Sequence, residues 1–102
     1  MRYPTVGDWK WMRNGGWIKI IPRKDWREEI LIAFHELIEM SLCRQRKILG
    51  KEIMDFDIKS GLDDPGMSSK APYNAEHMTA TVLEKLFAYE LGVNWRKYND
   101  NL

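Results

Sequence analysis

The sequence predicts an α+β domain in which an N-terminal β-hairpin packs on two main α-helices. Three features carry the prediction: an alternating aromatic and polar run around a glycine turn, and two separate stretches with the helical period of apolar residues. At 102 residues the chain fits one domain with a single core.

The hairpin is expected over about residues 8–21. Trp9 and Trp11 alternate with Asp8, Lys10 and Met12, and Arg13-Asn14-Gly15-Gly16 supplies turn residues. Trp17-Ile18-Lys19-Ile20-Ile21 follows, rich in β-branched side chains, and Pro22 ends it. Two strands do not stand alone in water, so Trp9, Trp11 and Trp17 are the expected contact surface.

The first helix is expected over about 25–48. Asp25 caps it, and Glu28 three residues on completes a capping-box spacing. Trp26, Ile30, Ala33, Phe34, Leu37, Ile38 and Leu42 form its predicted core stripe, with Leu31, Ile32 and Met40 outside it. Gly50 is the expected stop. A loop region follows over about 51–73, where Ser60 to Ser69 reads as loop by composition. The second helix is expected over about 74–91, with Ala75, Met78, Val82, Leu86 and Phe87 as its core stripe and Gly92 as its end. In the short C-terminal tail Trp95 and Tyr98 tuck back, and residues 99–102 fray.

Composition narrows the function. Sixteen Lys and Arg against fifteen Asp and Glu give a net charge of +1, no basis for a nucleic-acid or acidic-membrane partner. Trp9-Lys10-Trp11-Met12-Arg13 interleaves aromatic and basic residues, and Arg44, Arg46, Lys47 and Lys51 are basic, but cations at a helix C-terminus also answer the helix dipole. A single cysteine, Cys43, excludes an internal disulfide framework and points to a reducing cytoplasm; it reads as a small buried residue. Neither a signal peptide nor a membrane span is expected.

The chemistry centres on the two histidines. In His35-Glu36-Leu37-Ile38-Glu39, His35 and Glu39 are four residues apart and point at one position in space. The spacing is that of a His-Glu-x-x-His zinc motif with Glu39 at the second histidine position. A carboxylate ligates zinc and suits manganese or iron better, so zinc is the first choice of divalent metal, with manganese and iron as alternatives. On the second helix His77, Ala80, Thr81, Glu84 and Ala88 form a stripe of their own. Packing along these stripes brings His35, Glu39 and His77 together as ligands, with Glu84 as fourth ligand or outer partner. Glu36 is then the expected general base. Asp57 is the preferred further carboxylate, ahead of Asp55, Asp63 and Asp64.

The run Phe34-His35-Glu36-Leu37-Ile38-Glu39, with Cys43, Phe56-Asp57, Asp63-Asp64-Pro65, Ala71-Pro72-Tyr73, Glu76-His77, Ala80, Glu84 and Leu91 to Trp95, resembles a family of small uncharacterised proteins of bacteriophages and prophages. That resemblance covers roughly residues 26–98 and implies the cytoplasm of a bacterial host as the setting. More distantly, a hairpin, a His-Glu helix and a second ligand-bearing helix are similar to a minimal zincin metalloprotease core. This likeness implies His35 as first ligand, Glu36 as base, Glu39 at the second ligand position and His77 as third. True zincins carry histidine at the second position, and a protease's long substrate-binding sheet has no room here. Glu28, Glu29, Glu36, Glu39 and Glu84 resemble instead the carboxylate set of MazG-like nucleotide pyrophosphohydrolases, which implies magnesium. The third expectation is a non-enzymatic phage accessory protein acting on a host or phage protein through its helices.

Overall fold

Strands β1 (Gly7–Met12) and β2 (Gly15–Ile20) pair antiparallel with Gly7 opposite Ile20 and Met12 opposite Gly15, so Arg13 and Asn14 make the connection. The computed structural model describes residues 6–48 and 72–102. The readings of Gly50 and Lys51, the loop segment through residue 71, and Asp55, Asp57, Asp63 and Asp64 fall outside these residues. Of the turn glycines Gly15 adopts a positive φ, 144°, a region open to glycine.

The register corrects one expectation. Directly paired residues share a face, so Trp9, Trp11, Gly16 and Ile18 lie together, while Trp17 pairs with Lys10 on the other face. Trp9 and Trp11 reach the first helix; Trp17 does not belong to their surface. The Trp11 indole N–H donates to the Met40 carbonyl at 2.8 Å, and the Arg44 guanidinium lies 4.3 Å over its ring. Trp11 and Arg44 are therefore engaged with each other within the fold.

Helix α1 (Trp26–Gln45) starts where Asp25 Oδ1 accepts from the Arg27 N–H at 2.9 Å. The reciprocal half of the predicted capping box is not seen, because the Glu28 carboxylate accepts instead from Arg23 Nε at 3.1 Å. Arg27 pairs with Asp25 and also donates to the Leu91 carbonyl, tying the start of α1 to the far end of the next helix. The stop comes before Gly50. Lys47 takes a φ of 58°, its N–H donates to the Arg44 carbonyl, and the Ile48 N–H donates to the Cys43 carbonyl. This is a Schellman motif with lysine at the glycine position, and Ile48 packs on Cys43 as the motif favours.

Helix α2 (Asn74–Glu90) ends in the same motif with glycine in place: Gly92 has φ 72°, and Val93 N–H donates to the Ala88 carbonyl. Asn94 then caps a short helix α3 (Trp95–Asp100), accepting from the Lys97 N–H at 3.0 Å. The frayed tail is thus partly helical, through Asp100.

Helix α1 lies between the hairpin and α2, and this placement overturns much of both predicted core stripes, of which Ala33, Phe34, Ile38, Leu42 and Phe87 are half-buried. Its buried residues are Leu31, Ile32, His35, Glu36, Glu39, Met40 and Cys43, while Trp26, Ile30 and Leu37 are exposed. On α2 the buried residues are Glu76, His77, Ala80, Glu84 and Ala88, and Met78, Val82 and Leu86 face water. Apolar periodicity detects hydrocarbon alone, whereas here polar side chains that bond one another occupy the seam. Ala80 and Ala88, both fully buried, keep that seam narrow. Two apolar clusters flank it: Leu31, Ile32, Ala88 and Tyr98 on one side, Cys43 and Tyr73 on the other. Among the described residues no helix is long and apolar enough to cross a membrane.

Candidate metal centre

The helical spacing that puts His35 and Glu39 on one face of α1 also aims both at His77 in the first turn of α2. His35, Glu39 and His77 each offer a donor atom within 4.8 Å of the others, and all three side chains are buried. The closest approaches are shorter. His35 Nε2 stands 3.3 Å from His77 Nδ1 and 3.2 Å from Glu39 Oε2, and His77 Nδ1 stands 2.7 Å from the same oxygen. Donors about 2.05 Å from a tetrahedral ion stand roughly 3.3 Å apart, so this triangle fits one small divalent cation with little movement.

The three side chains thus form a buried group that can hold a metal ion.

His35 and Glu39 each have a fixed partner behind them. His35 Nδ1 lies 2.8 Å from Glu84 Oε1, on the opposite side of the ring from the triangle. Glu84 therefore stands behind His35 and outside the donor group, the outer of its two expected roles. Its other oxygen accepts a short hydrogen bond from the Tyr98 hydroxyl. Burial pushes the Tyr98 phenol up, and the charge of Glu84 pushes it further, so the hydroxyl stays a donor. The second oxygen of Glu39 accepts from the Trp9 indole N–H at 2.9 Å. Next to His77, Glu76 is buried and accepts a short charged hydrogen bond from Arg46 at the end of α1.

Burial alone would push the His35 imidazole down. Hydrogen bonds to Glu39 and Glu84, with the charges of Glu39 and Glu36, outweigh that and raise it to about 10. Without metal the ring is an imidazolium at neutral pH.

Glu36 is buried and faces the start of β1. A Cβ on Gly7 would come within 2.9 Å of its Cγ and Oε1, so the absent side chain at Gly7 makes its space. Cys43 is fully buried beside Tyr73, as expected of a packing residue. Trp9, Tyr98 and the Arg46–Glu76 pair were not legible as site residues. The one signal they carry is a polar tip on a buried ring or a charge near a ligand, which the sequence does not connect to its partner. Glu28 and Glu29 are engaged by Arg23 at the start of α1, so a magnesium carboxylate set draws no support from them.

No family model, curated protein or solved structure matches the chain.

Proposed function

We propose that this chain is a metal-binding protein with a zincin-like centre, in which His35, Glu39 and His77 hold one divalent cation and Glu36 serves a hydrolytic reaction. The observation that carries the reading is the triangle of three lone-pair donors with edges of 2.7, 3.2 and 3.3 Å. Two histidines and one carboxylate favour zinc, with manganese and iron as the alternatives. A bound ion of this kind supplies Lewis acidity and lowers the pKa of a coordinated water. Glu36 follows His35 on α1, lies buried, and its charge already acts on the His35 ring. Its role is to accept the proton of the attacking water. Glu84 keeps the His35 Nδ1 proton in place, which leaves Nε2 free to coordinate. The resemblance of the His35–Glu39 run to phage and prophage proteins supports the cytoplasm of a bacterial host as the place of action.

A second reading rests on a different observation. The donors are deeply buried, and several large apolar side chains, Trp26 and Leu37 on α1 and Val82 and Leu86 on α2, are exposed, which favours an accessory protein whose metal is structural and whose surface meets a protein partner. Titration of metal-free protein with zinc, manganese, iron(II) and magnesium separates the readings, followed by assays on ester, peptide and phosphodiester substrates. The hydrolase reading expects one zinc per chain and turnover that Glu36→Gln abolishes without loss of metal. Zinc binding with no turnover on any substrate class favours the accessory reading. Absence of binding at micromolar metal removes both metal roles.

A further inference from the structure

Glu39 divides its two carboxylate oxygens between two sets of neighbours. Oε2 faces the histidines, 3.2 Å from His35 Nε2 and 2.7 Å from His77 Nδ1. Oε1 faces the hairpin and accepts from the Trp9 indole N–H at 2.9 Å, within a side chain that is fully buried.

The direction of that N–H is set by three elements. In β1 Trp9 pairs with Ile18, which holds its backbone in register. Its ring packs on the cluster of Cys43 and Tyr73, and Cys43 lies one turn beyond Glu39 on α1. Tyr73 precedes α2 and crosses the His77 ring at 88°, with centroids 6.2 Å apart. The indole is therefore held by packing as well as by its hydrogen bond.

A carboxylate binds a cation through one oxygen or chelates it through both. Chelation by Glu39 requires Oε1 to turn from the hairpin toward the ion. That turn breaks the bond from Trp9, and the indole N–H and the carboxylate both lose a partner where burial makes the loss costly. Glu39 kept to one bond leaves a shell of low coordination number. Zinc takes four donors in a tetrahedron, whereas manganese suits six in an octahedron.

We propose that Trp9 is the metal-selecting residue of this centre, holding Glu39 to a single bond and so favouring zinc over manganese. The inference rests on the reading of His35, Glu39 and His77 as ligands, and adds a positioning residue that touches no metal. Without the indole N–H, Oε1 is free to turn to the cation. The coordination number then rises, which suits manganese. Trp11 provides a control from the same strand. Its indole N–H donates to the Met40 carbonyl at 2.8 Å, so its loss loosens the hairpin and leaves the Glu39 bond in place.

Cobalt(II) tests this, because it absorbs visible light strongly in a tetrahedral shell and weakly in a six-coordinate one. The full chain, its Trp9→Phe variant and its Trp11→Phe variant are stripped of metal and loaded with cobalt. Zinc and manganese affinities are measured separately against competing chelators. The parent is expected to give the intense tetrahedral spectrum. Trp9→Phe is expected to lose much of that intensity, and its zinc-to-manganese affinity ratio falls about tenfold. Trp11→Phe is expected to match the parent in both.

A weak six-coordinate spectrum in the parent overturns the proposal, whether or not Trp9→Phe folds. So does a Trp9→Phe protein with the parent's spectrum and ratio, or a Trp11→Phe protein that shifts as Trp9→Phe does. Each of these leaves metal binding by His35, Glu39 and His77 standing. A parent that binds neither cobalt nor zinc overturns that reading and the role of Trp9 together.

Discussion

Nε2 of His35 and Nδ1 of His77 stand 3.3 Å apart across the α1–α2 seam, with Glu39 Oε2 bridging them. The two rings come from positions 42 residues apart, and they meet at a 68° tilt that turns one nitrogen of each toward the same point. Proton and cation compete for that point, and the consequences of the competition are measurable.

In metal-free protein the His35 pKa is raised from an unfolded value of about 6.5 to about 10. A folded pKa above the unfolded one contributes stability that is complete below pH 6.5 and lost as pH rises through 10. Chemical denaturation of the metal-free protein is therefore expected to show a midpoint that falls between about pH 6.5 and pH 10. Zinc affinity is expected to rise over the lower part of that window, because coordination requires the bare nitrogen. A midpoint that instead rises with pH across this range contradicts the assigned imidazolium.

Glu84 is assigned to hold His35 rather than the ion. Glu84→Gln keeps the shape of the side chain but weakens the bond to His35 Nδ1, and should lower zinc affinity about 10–100-fold with one zinc per chain retained. Tyr98→Phe removes the hydrogen bond on the other Glu84 oxygen and is expected to act in the same direction, by less. Equilibrium dialysis reads both, and complete loss of metal in Glu84→Gln would make Glu84 a direct ligand.

Trp9 links the hairpin to the centre through Glu39 Oε1. Trp9→Phe keeps most of the packing and deletes the donor, at a cost of about 1.5–3 kcal/mol for a hydrogen bond to a charged group. Urea denaturation measures this. A change below about 0.5 kcal/mol would show that the indole N–H does nothing for Glu39 beyond occupying space.

Lys47 carries a left-handed φ of 58° at the end of α1. Lys47→Gly relieves a conformation that L-residues disfavour and is expected to stabilise the chain by about 0.5–1 kcal/mol, while Lys47→Val should destabilise it. The pair of variants gives opposite shifts in thermal melting if the Schellman end of α1 is correct.

The parts legible in the sequence were those with a local signal. The Asp25 cap, the Gly92 stop and the period-two run around Trp9 depend on neighbours a few residues away, and the elements lie within a few residues of their expected ends. The His35–Glu39 spacing and the separate stripe through His77 and Glu84 were also local, and their convergence followed once the stripes were paired. The burial of α1 and α2 was not legible. A count of apolar residues places Ile30, Leu37, Val82 and Leu86 inside, and only the mutual bonding of His35, Glu39, His77 and Glu84 makes the polar seam the better one to bury. The contacts of Trp9 and Tyr98 span tens of residues or join different elements, so no window of sequence contains them. Trp17 was misplaced because the face it occupies is fixed by the hairpin register, not by its hydrophobicity.

The most direct test is an anomalous-difference map from crystals grown with zinc. One strong peak is predicted in each chain, about 2.0–2.2 Å from His35 Nε2, His77 Nδ1 and a Glu39 oxygen, with Glu84 remaining on His35 Nδ1. A map in which the three side chains keep their triangle with no peak between them, or in which zinc binds only at other residues, would contradict the account.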